Sequence, residues 1–102
     1  MRIRWSDVAR GDVIALRDYI ARDSPYYARR FTERLVESVE NLSDFTRIGR
    51  RVPEADRDDV RELIFHAYRI IYLIETEEIT ILTVVHGGRD LGRREPPPWE
   101  VT

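Results

Sequence analysis

The sequence predicts an α+β fold: an N-terminal strand, an antiparallel helix hairpin, then a three-stranded antiparallel meander, with the helices packed on one face of a four-stranded sheet. Two observations predict the helices and one the sheet. Ala9, Val13, Leu16 and Ile20 recur at helical spacing, as do Ala28, Phe31, Leu35, Leu42 and Phe45. After residue 59 the pattern changes to three short runs rich in Ile, Val, Tyr and Thr, the residue types that fill strands.

Each element follows in order. Arg2-Ile3-Arg4-Trp5 alternates polar and apolar side chains, as a short strand does. Ser6 or Asp7 then offers a side-chain oxygen to cap the first helix, which should end near Arg22-Asp23. Ser24-Pro25 is a second start signal, a capping hydroxyl followed by a proline whose missing N–H costs nothing at the first helical position. The second stripe runs to about Asp44. A link this short makes the helices antiparallel neighbours. Thr46 to Asp59, with Gly49, Pro53 and mixed charges, reads as a surface loop. Val60 to Phe65, Tyr68 to Glu75 and Ile79 to His86 read as strands, with hairpin turns at His66-Ala67 and Thr76-Glu77-Glu78. Pro96-Pro97-Pro98 favours polyproline II, and Trp99 after it reads as an exposed aromatic. Residues 1–102 are expected to form one domain, with 91–102 as an extended or flexible tail.

Composition bounds the function. The chain has 102 residues, 42% hydrophobic and 35% charged, an ordinary globular composition. With no Cys there is no thiolate nucleophile and no disulfide frame. Two His residues do not make a metal site, so neither metal nor cofactor is expected. No apolar run reaches the length of a membrane span, and Met1 to Asp7 lacks the apolar stretch of a signal peptide, so a cytoplasmic location without membrane contact is expected. All 17 basic residues are Arg. A guanidinium holds charge but transfers protons poorly. The net charge of −2 and pI of about 5.7 count against a strong overall affinity for nucleic acid, although a local basic patch stays open.

Alternation along the middle strand places Tyr68, Ile70, Tyr72 and Ile74 on one face and Arg69, Ile71, Leu73 and Glu75 on the other. Both faces are largely apolar. One belongs under the helices; the other needs a cover, either a partner protein or the chain's own loops and tail. Arg69 in this setting needs an anionic neighbour, either a structural one such as Glu62 or a functional anion. His86-Gly87-Gly88-Arg89-Asp90 follows the last strand. Its two glycines permit backbone conformations closed to other residues and project Arg89 near the sheet edge.

Taken together, these pieces resemble the RelE/ParE superfamily of bacterial toxins. The resemblance rests on Ser24-Pro25-Tyr26-Tyr27-Ala28, Gly49-Arg50-Arg51-Val52-Pro53-Glu54, Val60-Arg61-Glu62-Leu63, Tyr68-Arg69-Ile70-Ile71-Tyr72 and His86-Gly87-Gly88-Arg89-Asp90, and covers about Ile3 to Leu91. It implies a toxin that arrests growth when free. It also implies a cognate ParD-like antitoxin, whose C-terminal segment wraps the toxin in a hetero-oligomer through an amphipathic helix and an extended stretch. Two activities occur in the superfamily. ParE-like members inhibit DNA gyrase by binding; RelE-like members are ribosome-dependent mRNA endoribonucleases.

Cleavage through a 2′-hydroxyl needs a base, an acid and positive charge on the phosphate. Arg69 and Arg89 match the phosphate-stabilising arginines of the nuclease branch. Val60 and Glu62 stand where that branch often has lysines, and the tail Leu91-Gly92-Arg93-Arg94-Glu95 lacks its terminal Tyr. If the chain is a nuclease, Arg69, Arg89 and His86 are its catalytic candidates, with Tyr68 and Glu62 as further proton-transfer substitutes. The ParE-like reading, inhibition without catalysis, is the favoured expectation. Under it, Arg61, Tyr68, Arg69, Tyr72, His86, Arg89 and Trp99 are the candidates for binding target or antitoxin.

Overall fold

The computed structural model describes residues 1–88, 91 and 96–100. Its elements are β1 (Arg2–Trp5), α1 (Asp7–Ala21), α2 (Pro25–Glu40) with a 3-10 turn over Asn41–Ser43, β2 (Arg50–Arg51), β3 (Val60–Phe65), β4 (Tyr68–Ile74) and β5 (Glu78–His86). Both helices start as expected. The Ser6 hydroxyl accepts from the Ala9 N–H at 3.0 Å, and the Ser24 hydroxyl from the Tyr27 N–H at 3.1 Å, with Pro25 in the first turn. Each satisfies a donor that the helix leaves without a carbonyl. The second helical stripe ends earlier than its apolar spacing suggested. α2 stops at Glu40, Leu42 is buried within the 3-10 turn, and Phe45 is exposed.

The sheet has five strands in the order β1-β5-β4-β3-β2. β3, β4 and β5 form the antiparallel meander, and β1 lies parallel to β5 with Ile3 opposite Ile79. The fifth strand, β2, comes from the segment read as a loop. Two residues are too few to show alternation, and Arg50–Arg51 is set by pairing with Glu62 and Arg61 of β3. The same segment contributes Val52, which is fully buried. The β3–β4 turn closes with His66 at φ 54°, in the left-handed region, where His is more tolerated than bulky or branched residues. None of the described glycines has positive φ. Gly87 instead donates its N–H to the Ala67 carbonyl at 2.7 Å, extending the pairing by a step, so close backbone approach rather than a left-handed conformation is its role.

Both faces of the sheet are covered. Under the helices lie Ala9, Phe31, Leu35, Val39, Leu42, Ile70, Tyr72, Ile79, Ile81 and Val84. On the opposite face Val52, Val60, Ile71, Leu82 and Val85 pack with Leu91 and Trp99. Each fully buried Leu or Ile contributes about 1.5–3 kcal/mol relative to exposure, so both layers matter to stability. Trp99 is therefore buried, only 8% exposed, and not the exposed aromatic its place in the sequence suggested. Pro98 and Trp99 sit in a turn closed by the Glu100 N–H on the Pro97 carbonyl at 3.1 Å, rather than in a polyproline II stretch. The remainder of the expected tail, 92–95 and 101–102, lies outside the described residues.

A register shift in β5 serves both layers. Ile71 faces Thr83 and Tyr72 faces Ile81, which leaves Leu82 without an opposite residue. An extra residue of this kind resets the in–out alternation. Ile79 and Ile81 thereby reach the helix side and Leu82 and Val85 the other. β1 pairs with β5 only as far as Ile81. Beyond it the Val84 N–H is held by the Asp12 carboxylate of α1 at 2.9 Å.

Candidate functional site

Arg69 and Glu62 form the centre of a buried charge network on the face away from the helices. Glu62 faces Ile71 across the β3–β4 ladder, which puts its side chain one step diagonally from Arg69 on the same face. Arg69 donates to Glu62 Oε1 from Nε at 2.9 Å and from Nη2 at 2.6 Å. It also forks onto Glu54, from Nη1 to Oε2 at 2.8 Å and from Nη2 to Oε1 at 2.9 Å. Arg50, directly opposite Glu62 in the β2–β3 pair, reaches its other oxygen at 2.9 Å. The Leu91 N–H points at Glu54 Oε2 at 3.4 Å, so the network also ties down the start of the tail. Two carboxylates around one guanidinium satisfy its fork geometry. The hydrogen bonds from Arg69 hold the Glu54 carboxyl well down, from 4.5 to about 2. The same contacts push the Arg69 guanidinium above its already high range.

The structural partner expected for Arg69 is thus present, and Glu54 joins it. Glu54 was missed in the sequence because it lies in an aperiodic segment. Only the requirement that a buried guanidinium have anionic partners pointed toward it.

Arg61 and Tyr72 face each other on the helix side. Tyr72 is fully buried. Its hydroxyl donates to the Thr46 carbonyl at 2.9 Å and accepts from the Gly49 N–H at 3.1 Å. Burial pushes the phenol up from its usual range. Arg61 donates to the Gly49 carbonyl at 3.1 Å and to the Asp58 carboxylate at 2.8 Å. Asp58 is held below its usual range by hydrogen bonding, chiefly from Arg47. Both Arg61 and Tyr72 pin the segment between the helices and the meander, and Tyr72 offers no surface to a partner.

Tyr68 and His86 are opposite one another at the end of β4 and β5, with ring centroids 5.8 Å apart and nearly perpendicular. Directly paired residues share a face. Tyr68 packs with the helix-side cluster, whereas Arg69, the next residue, points to the opposite face. The structure therefore brings Arg69 together with Glu54 and Glu62, not with His86 or Tyr68. Arg89 lies outside the described residues. Among the described residues no group of three His, Asp or Glu side chains is placed to hold a metal ion, and no helix is long and apolar enough to cross a membrane.

A helix hairpin laid on one face of a mixed sheet, with the buried Arg69–Glu62–Glu54 network on the other, defines a small α+β protein. The chain belongs to the family of ParE toxins of type II toxin–antitoxin systems, whose model matches residues 3–91. It is similar to Toxin RelE2 of Caulobacter vibrioides, 28% identical over 88 residues that make up 86% of this chain and 97% of that protein. Among solved structures it resembles a chain of the chromosomal ParDE system from P. aeruginosa, with a TM-score of 0.71 and 25% identity over 84% of this chain and 95% of that one. The same fold occurs in the toxin–antitoxin complex RelBE2 of Mycobacterium tuberculosis, with a TM-score of 0.58 and 23% identity over 83% of this chain and 95% of that one.

Proposed function

We propose that this toxin acts by binding, as a ParE-like inhibitor of DNA gyrase, and not as a nuclease. The observation that carries the reading is the separation of Arg69 from His86. A nuclease needs its phosphate-holding cation and its proton-transfer group on one scissile bond. Here they lie on opposite faces of β4 and β5, and Arg69 is engaged by two carboxylates. A substrate phosphate would have to displace Glu54 and Glu62 from a buried site, at a desolvation cost of several kcal/mol for each orphaned charge. At the meander end the exposed His86 and the half-buried Tyr68 beside it suit contact with a macromolecule.

The experiment compares two assays on the purified chain. Gyrase supercoiling should be inhibited while mRNA on programmed ribosomes stays whole. Codon-specific mRNA cuts with gyrase untouched would overturn the reading. They would favour the RelE-like alternative, which has one specific support, the juxtaposed Tyr68 and His86 rings. Under that alternative Arg89→Ala should abolish cleavage and leave the fold intact.

The antitoxin partner follows from the family and from the toxin–antitoxin systems named for both structural relatives. Its seat is the outer surface of the helix hairpin. Trp5, Val13, Ile14 and Val36 line an apolar recess there, and Val8 and Ile14 are exposed nearby. An amphipathic helix of a ParD-like antitoxin's C-terminal segment fits such a stripe. Mixing the chain with the product of a neighbouring small gene should give a stable hetero-oligomer and relieve growth arrest; a toxin that stays free and active in that mixture counts against this partner.

A further inference from the structure

Neither the binding reading nor the nuclease alternative uses the recess at the start of α2. Tyr26, Tyr27, Arg30, Phe31 and Arg34 of α2 and His66 of the β3–β4 turn line a space of about 300 Å³. Phe31, 7% exposed, forms its floor. The His66 ring stands 5.3 Å from Phe31 and 4.6 Å from Phe65, and Tyr27 lies 6.0 Å from Phe31. The walls are thus rings, two of them the exposed tyrosines Tyr26 and Tyr27. The rim is cationic. Arg30 and Arg34 are four residues apart, which aligns them on one side of the helix. No ion-pair partner engages either among the described residues, and no carboxylate lines the space. The α2 macrodipole adds positive potential at this end. The acidic side chains of α2, Glu33, Glu37 and Glu40, line a different recess. A net charge of −2 therefore conceals one locally positive, aromatic site.

We propose that this recess binds a nucleotide unit of single-stranded nucleic acid, its base against Tyr26 and Tyr27 and its phosphate between Arg30 and Arg34. Rings supply sequence-tolerant stacking and arginines hold the backbone, the pairing of features that single-strand binders share. A bare phosphate would leave the rings unused. An acidic peptide would engage the arginines with nothing flat to stack. The site lies off the Arg69 network, and its occupancy does not depend on whether gyrase or the ribosome is the target, since both hold nucleic acid.

The test titrates the purified full chain with a fluorescently labelled short oligothymidylate at several salt concentrations. Saturable binding is expected, weakening with salt. The double substitution Arg30→Ala/Arg34→Ala should flatten the plot of log affinity against log salt by about 0.7 for each arginine lost. Tyr26→Ala/Tyr27→Ala should weaken binding by roughly fivefold to a hundredfold for each stacked base, with the salt slope unchanged. Arg10→Ala, which removes one arginine charge from α1, should leave the salt slope unchanged rather than flatten it by about 0.7. All four of these side chains are exposed, so unaltered circular dichroism is expected for both double variants. Absence of saturable binding overturns the proposal, as does binding insensitive to both double substitutions. Binding that depends on the arginines and not on the tyrosines, or that polyglutamate competes as well as nucleic acid does, also overturns it and assigns the recess to an acidic protein segment.

Discussion

Arg69 of β4 and Glu62 of β3 share two hydrogen bonds in the second core, their side chains 7% and 0% exposed. Removing one partner of such a pair costs more than the pair contributes, because the survivor stays buried and charged. Arg69→Ala leaves Glu54 without its fork and Glu62 with only Arg50. The expected loss is about 3–5 kcal/mol, a large share of the 5–15 kcal/mol typical of a domain. Urea unfolding of the purified chain measures it. Arg69→Lys should recover only part, since an ammonium cannot fork onto two carboxylates. An unchanged midpoint for Arg69→Ala would mean that the network contributes nothing to the fold.

The same network sets a pH dependence. Glu54 is held at about 2 in the folded chain against an ordinary 4.5, chiefly by hydrogen bonds from Arg69. A depressed carboxyl stabilises the fold when ionised. Its contribution is complete above about pH 4.5 and is lost as pH falls toward 2. The urea midpoint should therefore decline across that window, and Glu54→Gln should flatten the decline while lowering the midpoint at neutral pH. An equally steep acid decline in Glu54→Gln would place the cause on other carboxyls.

Periodicity made the helix hairpin, the meander and the N-terminal strand legible, because each buries one regular stripe. It also identified the two-sided burial of β4. It could not say what covered the second face, since the cover comes from isolated residues, Val52, Leu91 and Trp99, with no period of their own. β2 escaped for the same reason. Among the candidate site residues, the pattern located Arg69 and its need for an anion. Which anion, and the split of Arg69 and His86 onto opposite faces, depended on Glu54 reaching back from an irregular segment and on the pairing of β4 with β5.

Gly49 is a close-approach glycine. A Cβ there would lie 2.5 Å from the Glu62 carbonyl oxygen and 2.6 Å from the Tyr72 hydroxyl. Gly49→Ala should therefore destabilise by about 1–3 kcal/mol through overpacking. Tyr72→Phe removes the acceptor of the Gly49 N–H and should cost about 1–3 kcal/mol for a buried group left unsatisfied. Because the two residues touch, the double variant should cost less than the sum of the singles. Additive losses in thermal or urea unfolding would show that the hydroxyl and the glycine act separately.

Trp99 closes the second layer, packing with Ile71, Leu82 and Val85. Trp99→Ala should lose about 3–5 kcal/mol, the usual range for deleting a large aromatic from a core, and open an apolar patch. Such patches on a monomer bind hydrophobic dyes and promote association, so dye fluorescence should rise at concentrations where the parent chain shows none. Trp5 is the other tryptophan, so Trp5→Phe leaves Trp99 as the sole indole reporter. Its emission should be blue-shifted in the folded chain and move to the red on unfolding. A red emission in native buffer, with no loss of stability in Trp99→Ala, would mean that the second face is covered by something other than this residue.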